Sequence, residues 1–243
     1  HVRVYDYDGD ADAWVQVGGD IDGEAVNDES GTSVSLSSDG SRVAIGAPDN
    51  SGAGHVRVYD YDGDADAWVQ VGEDIDGEGY NNNERSQSGS SVSLSSDGSR
   101  VVIGAPSNDA GRTANYNYDY GHVRIYDYSG SAWVQVGADI DGEAERDKSG
   151  TSVSLSSDGT IIAVGAPLND GANGSNSGHV RIYDYDGDVW VQLGGDIDGE
   201  ADSDGSGSSV SLSSDGTRVA IGAESNDGAN GSNSGHVRIY DYD

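Results

Sequence analysis

Short runs of alternating apolar and small polar residues recur along the chain. In Gly31-Thr-Ser-Val-Ser-Leu-Ser-Ser38, Val34 and Leu36 alternate with Ser33 and Ser35, the period-two pattern of a strand with one face turned to a core. The pair Asp39-Gly40 follows, a hairpin signal because glycine accepts the positive φ of tight β-turns. The next run, Ser41–Pro48, sets Val43, Ile45 and Ala47 on one face, and its Gly46 leaves room for close backbone approach. Pro48 removes a ladder donor and ends that strand. A third run, His55–Tyr61, is rich in β-branched and aromatic residues. A fourth, Ala67–Gly72, carries Trp68 near its start, and the block closes on Asp-Ile-Asp-Gly-Glu at Asp74–Glu78.

These phrases repeat in the same order. His-Val-Arg-(Val/Ile)-Tyr-Asp-Tyr begins at His1, His55, His122, His179 and His236, at spacings of 54, 67, 57 and 57 residues. The serine-rich run recurs from Gly89, Gly150 and Gly207, and the tryptophan as Trp14, Trp133 and Trp190. Such a period marks one quasi-symmetric repeat domain over 1–243. Cut at the serine-rich strand, it divides into blades at 31–88, 89–149 and 150–206. A partial blade of outer strands lies at 1–30, and a second partial blade at 207–243. The fold class expected is all-β, a β-propeller of four-stranded antiparallel blades. Four blades would close if Ala13–Gly18 completed the last one, leaving His1–Asp8 redundant. Five blades with an incomplete seam, or part of a longer array, fit the strand count equally well. His1 lies inside a repeat, so a processed or excerpted piece is expected.

Val-Ala-Ile-Gly-Ala-Pro at Val43–Pro48, with variants at Val101–Pro106 and Ile162–Pro167, resembles the second half of the FG-GAP repeat. That repeat builds the N-terminal propeller of integrin α subunits and many other extracellular propellers. The Ser-Val-Ser-Leu-Ser-Ser-Asp-Gly and Trp-Val-Gln-Val-Gly phrases are also similar to large repeat proteins of marine algae and bacteria. The resemblance covers every repeat and implies architecture more than activity. It also implies calcium caged by Asp and Asn in the loop before Ala-Ile-Gly-Ala-Pro. Here that loop keeps Asp39 alone as a carboxylate and adds Arg42, whereas calcium needs six to eight oxygens. Calcium is therefore not carried over to these hairpins, which read as Asp-Gly turns.

Composition narrows the partners. There are 44 acidic residues against 12 Lys plus Arg, a formal net charge of −32, which repels nucleic acid and anionic membrane. The acids are interleaved with strand patterning rather than blocked, unlike a disordered acidic tail. Cysteine is absent, which excludes disulfides and thiol chemistry. No apolar run approaches the ~20 residues of a spanning helix, so no membrane insertion is expected.

The acidic loops are the calcium candidates. Asp6, Asp8, Asp10 and Asp12, copied as Asp60, Asp62, Asp64 and Asp66, resemble the start of an EF-hand loop but lack its closing glutamate. A solvated turn is the simpler alternative. Asp-Ile-Asp-Gly-Glu reads as a turn or as a cation site shared between blades. Five histidines at one repeat position read as structural strand-start residues, each hydrogen-bonding a neighbour, because a catalytic histidine occurs once with dedicated partners. Asn173 and Asn230 head N-glycosylation sequons. The loop 112–120 occurs once, and its Arg112, Tyr116, Tyr118 and Tyr120 suit a partner contact.

The function expected is a non-enzymatic extracellular structural or adhesion module, contacting protein or glycan at the cell surface or assembling with itself. The alternative is a multivalent carbohydrate-binding propeller that uses the tryptophan faces. An enzyme would need a cluster that breaks the repeat symmetry, and only loop 112–120 breaks it strongly.

Overall fold

The computed structural model describes residues 1–78, 85–109, 118–228 and 230–242. These are strands and turns, with one 3-10 turn at Asn50–Gly52. The N-terminal hairpin pairs β1 (Val2–Asp8) with β2 (Ala13–Ile21). The first complete blade holds β3 (Ser33–Leu36), β4 (Arg42–Ala47), β5 (His55–Asp62), β6 (Ala67–Gln70) and β7 (Ile75–Asp76). The second holds β8 (Ser91–Leu94), β9 (Arg100–Ala105), β10 (His122–Tyr128), β11 (Trp133–Gln135) and β12 (Ile140–Asp141). The third holds β13 (Ser152–Leu155), β14 (Ile161–Ala166), β15 (His179–Tyr185), β16 (Trp190–Gln192) and β17 (Ile197–Asp198). The last sheet has three strands, β18 (Ser206–Leu212), β19 (Arg218–Ala223) and β20 (His236–Asp241).

Each complete blade is an antiparallel meander whose register follows the alternation in the sequence. Ser33 faces Gly46, Ala47 faces His55, and Tyr61 faces Trp68. One expectation is corrected here. The phrase after the fourth run, Asp74–Glu78, is not a turn alone. Gly72 takes φ +76°, which throws the chain outward, and Ile75–Asp76 then returns to pair with His55 and Val56 of β5. The middle of Asp-Ile-Asp-Gly-Glu is thus a short strand on the same edge.

Blades meet through their serine-rich inner strands. The apolar row of each faces the preceding blade, and the serine row faces the next. Ser33 Oγ donates to Gly89 O at 2.7 Å, Ser35 Oγ accepts from Leu94 N at 3.0 Å, and Ser38 N donates to Ser96 O at 2.9 Å. The same three bonds join the second blade to the third, and the third to the last sheet. The backbones come so close that a Cβ on Gly104 would stand 2.0 Å from Gly150 O. Behind this seam the core forms between blades rather than within them. Ala44, Val56 and Val58 of one blade pack on Val92, Leu94, Val101 and Ile103 of the next.

Arginine and tryptophan close the outer seam. Arg42 holds Asp60 with two hydrogen bonds, donates from Nη1 to Gly98 O at 2.9 Å, and lies 5.0 Å from the Tyr128 ring centroid. Arg100 does the same to Gly159 O and the Tyr185 ring. In the third repeat the position is Ile161, which joins Leu212 and Val219 in an apolar cluster. The two ends of the array stay apart, with no hydrogen bond between them among the described residues. Val34 and Leu36 of β3 are 54% and 49% exposed, while their counterparts Val92 and Leu94 are 9% and 7%.

Gly104→Ala is expected to destabilise the array by about 3 kcal/mol or more, since backbone rather than a mobile side chain blocks the new methyl. Gly63, whose Cβ would meet only the far edge of the Tyr61 ring at 3.8 Å, serves as the control. Its alanine variant should change stability by no more than about 0.5 kcal/mol in urea unfolding.

Candidate functional site at the blade junctions

The His-Val-Arg phrase of one blade and the Asp-Ile-Asp-Gly-Glu phrase of the blade before it are the two halves of one site. Strand alternation turns His55 and Arg57, at the start of β5, to the same face, and both are buried. Arg57 Nη2 donates to Asp22 O at 2.7 Å, and its Nη1 lies 3.8 Å from Glu24. His55 Nδ1 lies 3.6 Å from Asp74 of its own blade and 3.9 Å from Glu24 of the preceding hairpin. The arrangement recurs as Glu78, His122, Asp139 with Arg124, and as Glu143, His179, Asp196 with Arg181.

Burial sets the charge state. Desolvation, followed by the Arg124 guanidinium, pushes His122 down to about 4, against a smaller opposing pull from Asp139. His179 is lowered for the same leading reason. The imidazole of His122 is therefore neutral near pH 7. Its two ring nitrogens have no hydrogen-bond partner, nor do Nε2 of His55 and His179. The expected hydrogen bond from each strand-start histidine to a neighbour is thus not made at these atoms. One imidazole nitrogen and two carboxylate oxygens could hold a transition-metal ion rather than calcium. The glutamate of each cluster already faces an arginine, which competes with any cation.

The other predicted residues lie elsewhere. Asp8 Oδ1 accepts from the backbone N of Asp10 and Ala11, and Asp62 does the same for Asp64 and Ala65. Asp12 and Asp66 accept from the Tyr7 and Tyr61 hydroxyls, while Asp60 is held by Arg42. The structure thus sends Asp8, Asp12, Asp60, Asp62 and Asp66 to turns and separate partners, and places Asp6, Asp10 and Asp64 in no group close enough to hold a metal. Among the described residues, the three groups of side chains close enough to hold a metal are the junction clusters. At the Asp-Gly hairpins, Asp39 accepts from Ser37 Oγ and from Ser41 N and Oγ, and the backbone bond leads in lowering it to about 2. Asn173 and Asn230 are exposed, and Asn173 Nδ2 donates to Gly199 O. Tyr120 is buried and Tyr118 is half-buried beside it, so Tyr120 is not a contact surface. Arg112 and Tyr116 lie outside the described residues.

Three of the four tryptophans join blades. Trp68, Trp133 and Trp190 donate from Nε1 to the carbonyls of Val17, Val71 and Val136 in the preceding unit. Each indole edge lies over the glycine that follows that carbonyl, and each ring packs on a tyrosine of its own blade. The junction clusters escaped the sequence reading because histidine and the acidic phrase were weighed separately. Their equal periodicity was the signal that could have paired them.

These features define a β-propeller of four-stranded antiparallel blades. A family model described as FG-GAP repeat matches residues 138–183, so the resemblance read from the Ala-Ile-Gly-Ala-Pro phrases holds in that copy. No curated protein matches the chain. Among solved structures it is similar to a protein from Bacteroides uniformis ATCC 8492 described as a "putative 6-phosphogluconolactonase". The TM-score is 0.58 at 12% identity, over 99% of this chain and 60% of that one, a likeness of fold. It corrects the expectation that the chain is no enzyme, because a protein described as an enzyme carries the same fold. Repetition explains why a residue recurs, but it does not limit what the loops of such a fold can host.

His122 gives a pH signature. Between about pH 6.5 and 4 the unfolded chain takes up a proton that the folded junction refuses, so this group's contribution falls as pH is lowered through that window. Unfolding free energies of the parent and of His122→Gln, measured from pH 7 to 4, should diverge by up to about 1.4 kcal/mol per pH unit. Parallel curves would show that this histidine protonates alike in both states.

Proposed function

We propose that the chain is an extracellular structural and adhesion module, a propeller repeat whose polar surface meets protein or glycan at a cell surface. The observation that carries this is the use of its repeated side chains. Arginine, tryptophan and the serine row all join one blade to the next, as befits an array that displays surface over distance. The exposed sequons at Asn173 and Asn230 support a location outside the cell. The surplus of acidic residues supports basic or cationic partners. A multivalent lectin has less to rest on, because three of the four indoles are engaged at junctions and Trp14 alone is mostly exposed, at 69%.

Beads coated with the full chain should be retained on cell surfaces, and retention should weaken as salt screens the acidic surface. Absence of retention on every surface tried would overturn the reading. Binding to a glycan array that Trp14→Ala abolishes would instead favour the lectin.

A further inference from the structure

Carboxylates crowd this surface, and at the blade junctions they converge on a buried imidazole. The clusters are Glu24, His55 and Asp74; Glu78, His122 and Asp139; and Glu143, His179 and Asp196, each with its candidate ligand atoms within 4.8 Å of one another. His122 is 1% exposed, and neither of its ring nitrogens has a hydrogen-bond partner. Its Nδ1 lies 3.7 Å from Asp139 Oδ2, and the sister distances are 3.6 Å to Asp74 and 4.0 Å to Asp196. Those gaps are too long for hydrogen bonds. They are close to the ~3.4 Å that separates the ligands of a tetrahedral ion with bonds of ~2.0–2.2 Å.

Neighbouring groups hold one oxygen of each carboxylate and leave the other toward the imidazole. Gln70, Gln135 and Gln192 donate from Nε2 to Oδ1 of Asp74, Asp139 and Asp196 at 2.7, 2.6 and 2.7 Å. Oδ2 is the atom that faces the histidine. The glutamates divide in the same way. Oε1 of Glu24 and Glu143 faces Arg57 and Arg181 at 3.8 and 3.6 Å, while Oε2 faces the histidine at 3.9 and 4.0 Å. The arginine thus competes for the oxygen that a cation beside the imidazole would not use. Outer partners of this kind orient the ligating carboxylates of metal sites. Two carboxylates against one guanidinium also leave each cluster negative, on a chain of net charge −32. The aspartates of the acidic loops belong to no such group.

We propose that each of these junctions binds a divalent transition-metal ion of the zinc type through imidazole Nδ1, aspartate Oδ2 and one glutamate oxygen, with water completing the shell. The nitrogen ligand and the small number of oxygens select such an ion over calcium, which needs six to eight oxygens. The carboxylates are exposed or half-buried, so an ion can enter from solvent. The glutamate belongs to one unit and the histidine and aspartate to the next, so each ion ties two units together. An ion held by the folded array alone stabilises it by mass action.

Equilibrium dialysis of the full chain against Zn²⁺ in a large excess of Ca²⁺, followed by metal counting, tests this. Calcium occupies the scattered surface carboxylates, so the zinc retained reports the imidazole sites. Three zinc ions per chain are expected, one for each cluster. Asp139→Asn keeps an oxygen for Gln135 to bond but loses the ligand, and should retain two. Asp10→Asn, in an acidic loop, should retain three. Zinc should also raise the melting temperature of the parent. Melting curves like that of the metal-free parent confirm that both variants fold. In NMR spectra of the histidine-labelled chain, zinc should shift three of the five imidazoles. A parent that loses its zinc to calcium overturns the proposal. So does an Asp139→Asn variant that still retains three ions, and so do histidine spectra that zinc leaves unchanged.

Discussion

Blade packing rests on a close approach of backbone to backbone at the inner seam. Gly46, Gly104 and Gly165 each lie against a glycine carbonyl of the next blade, at Gly89, Gly150 and Gly207, so near that a Cβ would stand within 2.1 Å of that oxygen. This brings the hydroxyls of Ser33, Ser91 and Ser152 within reach of the same carbonyls, each of which gains a polar partner there. It also sets the spacing that lets apolar rows from successive blades interlock. With no Phe or Met in the chain, the core is built from Val, Ile, Ala and Leu with Tyr59, Tyr126 and Tyr183, and small side chains of this kind must approach closely to pack. The outer seam of arginine, tryptophan and tyrosine then fills the widening gap between diverging strands.

Much of this was legible in the sequence. Period-two alternation located the four main strands of each repeat, and Asp-Gly fixed the hairpins, because both are local properties of chain and turn. The return of Ile75–Asp76 to β5 was not legible. Two residues are too few to show a period, and the return follows a positive φ at Gly72 that a glycine permits but does not announce. The junction clusters were missed for a related reason. His122 and Glu78 come from adjacent blades, 44 positions apart in the sequence, and nothing in either phrase names the other as its neighbour. Tyr120 was misread because a once-occurring aromatic loop suggests a surface, whereas this ring turns inward.

The acidity of the chain is tolerated through its arrangement. Many aspartates are not free surface charges but turn-closing acceptors, such as Asp39, Asp97, Asp158 and Asp215, each bound by hydroxyl and backbone donors. Others, Asp60 and Asp127, neutralise arginines at the outer seam. Carboxylates used in this way are ordered parts of the backbone's own hydrogen bonding, so the negative surface is fixed in position rather than diffuse.

The substitution of Ile161 for arginine makes the array chemically uneven. The first two complete junctions are held at their outer seam by a guanidinium that bonds a carbonyl and lies over aromatic rings, whereas the third closes on hydrocarbon. Charge-assisted bonds weaken as salt rises, while burial of hydrocarbon weakens on cooling. In a chain whose stability is close to a sum of neighbouring contacts, the site of first fraying need not be fixed. It would move along the array with conditions, toward the N-terminal seams in brine and toward the C-terminal one in the cold.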